Sequence, residues 1–266
     1  MRRCVKPMSL ILAVLFLAPI ALRAAWYLTF DRHARSWREA DWSSAHLLPP
    51  AASDRAARVL VLCGRTGNWK GIFAVHSWIV VKPENAPGYT RYDLTGFGRP
   101  LHVNGWPADG RWFGNTPQIV ADVRGAVAAA AIPRIEAAVA AYSHAKLGDY
   151  RLWPGPNSNT FVAAVLRAVP ELGVALPPEA VGKDFRVDGT MMGLTASRTG
   201  IEASAWGVLG LKVGWVEGIE LNLLGLVAGL DLRHPAVKLP GFGRIGIDTA
   251  ATAIAGVPAA HGDLSQ

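Results

Sequence analysis

Residues 8–22 carry no charge and follow directly on Arg2, Arg3 and Lys6, a juxtaposition that constrains this chain more than any other feature. A basic segment ahead of an apolar run is the layout of a secretory signal or a signal anchor, so export is the first expectation. If Arg23 snorkels, the apolar stretch continues through Trp26, Tyr27 and Phe30. It is then long enough to span a bilayer, with an aromatic pair near one interface. An anchor is preferred to cleavage. Small residues at Ala21, Ala24 and Ala25 suit a cleavage site, but Arg23 sits badly beside them and the aromatic and basic residues beyond look juxtamembrane. Positive charge before the run places the bulk of the chain outside the cytoplasm, with membrane lipid as partner of the N-terminal helix.

Composition removes several classes. The formal charge of +7 is concentrated in Arg2, Arg3, Lys6, Arg23, Arg32, Arg35 and Arg38, leaving the remainder close to neutral, so nucleic acid is not an expected partner. The two cysteines, Cys4 and Cys63, lie on opposite sides of the apolar run, which excludes a disulfide framework and a Cys-based zinc site of ordinary spacing. The remaining histidines, among them His33, His46, His144, His234 and His261, occur singly, and no glycine stretch has the form that cradles a nucleotide. No metal or cofactor is expected.

Patterning divides the chain. A polar segment, 31–56, ends in Pro-Pro-Ala-Ala-Ser and reads as a juxtamembrane stem. The main domain spans 57–205. Within it, 59–63 and 72–81 are apolar runs about a turn, a buried hairpin, and 89–94 alternates like a half-buried third strand. The stretch 101–116 reads as a long loop, 118–124 as one more strand, 126–145 as an Ala-rich helix interrupted by Pro133, and 157–169 as a helix with an apolar stripe at Phe161, Val162, Val165, Leu166 and Val169. This is an α+β pattern, a small antiparallel sheet packed on helices. Segment 206–248 is apolar and Gly-rich; Lys212, Glu217, Glu220 and Asp231 break any membrane span, while Leu209, Leu211 and Val213 alternate, so a hairpin is favoured. A small, polar tail, 249–266, closes the chain.

Two residues carry the chemical expectation. His76 sits in an otherwise apolar strand, where an imidazole needs a designated partner, and Ser158 falls at a helix N-terminus, where free amides and the helix dipole favour developing negative charge. The plainer reading stands beside this one: a core histidine bonded to a carbonyl, and a capping role for one of Asn157, Ser158 and Thr160. Asp93, His102 and Asn104 are candidates to orient the base, and Asp93 is the choice, although Arg91 and Asp93 also read as an exposed strand face. Cys63 ends the first strand of the hairpin and could lie almost opposite His76; a small core residue is the commoner fate of such a cysteine. Trp69, Trp78, Trp106, Trp112, Phe113 and Trp153 crowd the same strands and loops and could line a groove or form the core.

A histidine on an early strand followed by Asn157-Ser-Asn-Thr-Phe-Val162 at a helix start resembles the circularly permuted papain-like superfamily, which includes NlpC-type hydrolases and lecithin:retinol acyltransferase relatives. That resemblance implies a permuted papain-like fold, His76 as base and Ser158 in the place of the family's nucleophilic cysteine. Trp78, Trp153, Asn157 and Asn159 are the residues expected to contact a substrate. Serine departs from the pattern, because it depends on an aligned base more than a thiolate does. The phrases Trp69-Lys-Gly-Ile-Phe-Ala-Val-His-Ser-Trp-Ile-Val-Val81, Tyr89-Thr-Arg-Tyr-Asp93, Trp153-Pro-Gly-Pro-Asn-Ser-Asn-Thr-Phe-Val162 and Leu239-Pro-Gly-Phe-Gly-Arg-Ile-Gly246 are similar to the bacterial family catalogued as domain-of-unknown-function 3750. Two functions follow as expectations: a cell-membrane hydrolase or acyltransferase acting on an amide or ester of peptidoglycan or lipid, or a non-catalytic envelope protein that keeps only the cleft.

Overall fold

The computed structural model describes residue 10 and residues 12–31, 36–246 and 253–254; the whole basic segment and most of the tail lie outside them. An apolar helix, Ala13–Phe30, comes first. Its opening turn, Ala13–Leu17, is wound as a π-helix and the rest is α1 (Ala18–Phe30). The helix is apolar and long enough to cross a membrane, and most of it is exposed.

Two sheets build the remainder. In the first, β1 (Arg58–Arg65), β2 (Val75–Lys82), β3 (Thr90–Leu94), β4 (Leu101–Val103) and β5 (Gln118–Arg124) run antiparallel. Spatially β5 lies outside β1 and β4 outside β3, with the pair 253–254 added parallel to β5. Helices α2 (Ala126–Ala140) and α3 (Ser158–Ala168) cover one face, and Phe161, Val162 and Val165 of α3 pack with Val75, Ile79 and Val81 of β2. The opposite face holds a second core of Leu60, Leu62, Trp78, Val80 and Trp112. Every residue of β2 is therefore buried, and its alternation sorts odd positions to the helices and even positions to the aromatic layer.

The segment read as a stem lies across that aromatic layer. Trp42 packs edge-on to Trp112 and Phe113. The Asp109 carboxylate accepts from the Ser44 hydroxyl at 2.6 Å and the Leu47 amide at 2.6 Å, which ties the segment down. Arg111 adds its amide to the Ser43 carbonyl at 2.8 Å and its guanidinium to the Ser44 carbonyl at 2.7 Å, and a charged partner strengthens the bonds of the carboxylate and the guanidinium.

The second sheet is a seven-stranded antiparallel meander: β6 (Met192–Leu194), β7 (Gly200–Ala205), β8 (Leu209–Gly214), β9 (Gly218–Leu223), β10 (Leu226–Asp231), β11 (Ala236–Leu239) and β12 (Gly243–Gly246). It extends the expected hairpin on both sides and begins at Met192, in a stretch whose sequence shows no regular pattern. Its polarity is reversed. Glu202 pairs across to Lys212 and Lys212 to Glu220, all buried on the inward face. Lys212 reaches Asp184 at 2.7 Å, Lys238 reaches Glu220 at 2.6 Å, and Lys183 bonds Glu220 as well. Burial alone would raise the Asp184 carboxyl; Lys183 and Lys212 outweigh it and hold the group far below the usual carboxylate range.

Removing one partner of such a network strands the others. Lys212→Ala is expected to cost about 3–5 kcal/mol in a denaturant titration, whereas Arg151→Ala, on the surface, is expected to stay within about 0.5 kcal/mol. Equal effects would show that the network carries no particular stability.

Candidate functional site

The even face of β2 positions His76. Its Nε2 lies 2.8 Å from Asp93 Oδ1, on the neighbouring strand β3. Arg91, two residues before Asp93 and therefore on the same face, donates from Nε to Oδ2 at 2.6 Å and from Nη2 to Oδ1 at 3.0 Å. A further donor, Nη1, reaches the Pro107 carbonyl at 2.8 Å. The guanidinium also lies 4.0 Å from the centroid of the Trp78 ring, a cation–π contact. The carboxylate thus has both oxygens satisfied by a cation and an imidazole, and His76 donates from Nε2.

Aromatic rings pack around the group. Trp112 stacks on the His76 ring, centroids 3.7 Å apart and planes 7° from parallel. Gly64 pairs directly across from His76, and a Cβ there would come within 2.8 Å of the Trp112 Cβ; the bare glycine is what lets the indole approach. His76, Arg91, Asp93 and Trp78 are all buried. Burial lowers the imidazole below its ordinary 6.5 more than the Asp93 bond raises it, so the ring is held neutral. At Asp93, burial would raise the carboxyl, but Arg91 and the His76 hydrogen bond outweigh it and hold it below the usual range. The exposed strand face expected for Arg91 and Asp93 is thus corrected: each neutralises the other's burial cost.

Ser158 is placed elsewhere. It is the first residue of α3, and α3 packs on the odd face of β2, so the strand separates it from the imidazole. No hydrogen bond joins Ser158 to His76 or Asp93, and the second imidazole nitrogen, Nδ1, has no hydrogen-bond partner among the described residues. Instead Ser158 faces the Tyr150 phenol: burial raises that group, and hydrogen bonding from the Ser158 hydroxyl and amide opposes the rise. Asn157 is the cap, accepting from the amides of Asn159 at 3.0 Å and Thr160 at 3.1 Å.

The other expected contacts also bond within the fold, although Asn159 Oδ1 is buried without a partner among the described residues. Asn157 donates to the Leu152 and Val181 carbonyls, and Asn159 donates to those of Val75 at 2.9 Å and Val181 at 2.8 Å, tying α3 to the start of β2. Trp78 is fully buried and donates to the Ala108 carbonyl, while half-exposed Trp153 donates to the Leu224 carbonyl in the second sheet. His102 bonds Thr95 at 3.0 Å, and the Asn104 side chain accepts from the Arg91 amide at 2.8 Å. Cys63 pairs with Ser77, not His76, and so points to the helices; burial pushes its thiol up to about 12. Among the described residues there is no group of three or more His, Cys, Asp or Glu side chains that could hold a metal.

Sequence reasoning found His76 and Asp93 and missed Arg91 as their partner. The available signal was the Arg91-x-Asp93 spacing, which puts both on one strand face, beside a chain rich in tryptophan.

The linkage sign is the same for both buried groups. With the folded imidazole below its unfolded value of 6.5, the stability it contributes is complete above that pH and is lost as pH falls through the folded value. The depressed Asp93 carboxyl extends the loss to lower pH. The melting temperature is therefore expected to fall between pH 7.5 and 5.5, and His76→Gln to flatten that slope from a lower starting point. A wild-type profile flat over this interval would contradict the assignment.

Residues 56–185 match the model of a family described as a protein of unknown function (DUF3750). No curated protein and no solved structure matches the chain.

Proposed function

The chain belongs to the DUF3750 family, whose description names no activity, and from the geometry we propose that it is a non-catalytic, membrane-anchored protein of the bacterial cell envelope. One observation carries this reading: the strand histidine points to the face of β2 opposite the one on which the serine's helix packs, no hydrogen bond joins the two, and the imidazole is bonded to Asp93 and stacked on Trp112. A serine nucleophile needs its base within hydrogen-bond reach and an opening for the carbonyl. Asp93, Arg91 and His76 here act as a brace that staples β2 to β3 and seats the aromatic layer. The order of elements, a strand histidine before a helix that starts Asn-Ser, supports a permuted papain-like ancestry in which serine replaced cysteine and catalysis was given up.

Retention at the membrane is supported by how the apolar helix is held. Arg23 pairs with Asp31 at 2.7 Å, Gly71 passes close under the Tyr27 ring, and the π turn packs on β10, where Phe16 is buried. A segment docked in this way is built into the structure, as an anchor would be and a discarded signal would not.

The test is covalent. The full chain in detergent, treated with a fluorophosphonate, is expected to yield no adduct at Ser158 by peptide mass mapping. An adduct there that disappears in both Ser158→Ala and His76→Gln would establish a serine hydrolase and overturn the proposal.

A further inference from the structure

Strand register lines up one apolar row across the entire second sheet. Leu194 pairs with Ile201, Ile201 with Val213, Val213 with Ile219, Ile219 with Leu230, Leu230 with Val237 and Val237 with Ile245. One residue comes from each of the seven strands, and each is between 38% and 65% exposed. A neighbouring row, Met192, Ala203, Leu211, Leu221 and Ala228, is apolar as well. The charged residues of these strands alternate onto the opposite face. Seven strands spaced about 4.8 Å apart, each presenting about five residues at roughly 3.3 Å, give a face on the order of 500 Å², as large as the biggest apolar patches of ordinary soluble monomers.

The strands have three to six residues, too few for the roughly 9–11 that cross a bilayer, so this sheet can lie on lipid but cannot traverse it. Its position next to the anchor points to the occupant. The turn Ala13–Leu17 packs against β10, and Ala228 of that strand is buried although Met192 and Leu211 in its row are exposed. The exposed apolar side of the helix, with Val14, Leu17 and Leu22, is thus continuous with the face of the sheet. Trp206 and Trp215, both exposed, flank β8 at its two ends, where the amphipathic indole suits a headgroup boundary. The two described residues beyond β12, 253–254, pair with β5 in the first sheet.

Resting on the anchored reading above, we infer that the outer face of the second sheet is a monotopic membrane-binding surface, seated on the acyl–headgroup boundary of the same bilayer that holds the helix. The buried charges on its inner face are the complement of this arrangement: lipid takes the side that water would normally take, and the polar residues turn to the protein.

The experiment uses the full chain with Cys4→Ser, in which Cys63 is buried, carrying single cysteines Val213→Cys or Ile245→Cys on the face, or Glu84→Cys remote from it. Each is labelled with an environment-sensitive fluorophore, reconstituted in phosphatidylcholine–phosphatidylglycerol vesicles and floated on a density gradient. Unchanged melting temperatures establish that the variants fold. The expected result is flotation, with the labels at 213 and 245 shifted to the blue and protected from aqueous iodide, and the label at 84 neither shifted nor protected. Flotation with all three labels equally quenched overturns the inference and leaves the anchor standing. Protection at 213 and 245 that is lost when the protein is diluted in lipid, with disulfides forming under an added oxidant between unlabelled Val213→Cys copies, overturns it in favour of a second copy of the chain. Failure to float overturns both readings.

Discussion

A strand buried on both faces has no side that faces water, and β2 is such a strand. Each residue along it must suit one of two different layers, because successive side chains point in opposite directions. Val75, Ile79 and Val81 meet the helices; His76, Trp78 and Val80 meet the aromatic layer. The chemistry of the first sheet follows from that partition. A histidine at an even position cannot serve a helix on the odd side, however close the two stand in a motif. What it can do is find a carboxylate on the same face of the adjacent strand, which β3 supplies in Asp93, with Arg91 two residues earlier to neutralise it.

The same rule of alternation works in reverse in the second sheet. Ordinary antiparallel sheets turn apolar residues inward and polar ones to water. Here Glu202, Lys212, Glu220 and Lys238 point inward, where opposite charges on neighbouring strands satisfy one another. Buried ion pairs rarely add more stability than well-packed apolar residues would. Their strength is discrimination: a one-residue slip of any strand would send its charges to the outer face and its leucines into the network. Gly229, across from Glu220, fits this register because a Cβ there would lie 2.0 Å from the Ile219 carbonyl. An apolar outer face and a charged inner one make one coherent sheet once the outer medium is lipid.

Much of the scaffold was legible before any coordinates. Continuous apolar runs bounded by turn residues marked β1 and β2, alternation marked β3, and the stripe from Phe161 to Val169 marked α3, because each pattern reports a local periodicity. A cap among Asn157, Ser158 and Thr160 was legible from residue type, and the structure gives the role to Asn157. The burial of Arg91 with Asp93 was not, since a charged pair reads as solvent-exposed unless the residues that bury it are known, and here they are Trp78, Trp106 and Trp112, from a neighbouring strand and a distant loop. Glycines between 206 and 248 were open to two readings, and pairing across seven strands decided between them.

By itself the sequence determined the apolar helix behind its basic flank, four strands of the first sheet with the two helices that cover it, and the need of His76 for a partner, all of which depend on neighbours along the chain. Which face each side chain took was decided only in the tertiary structure. The separation of Ser158 from His76, the closure of Arg91, Asp93 and His76 beneath Trp112, and the inward turn of the charges in the second sheet each depend on register between strands. Register is set by contacts between segments far apart in sequence, and a shift of a single residue reverses it.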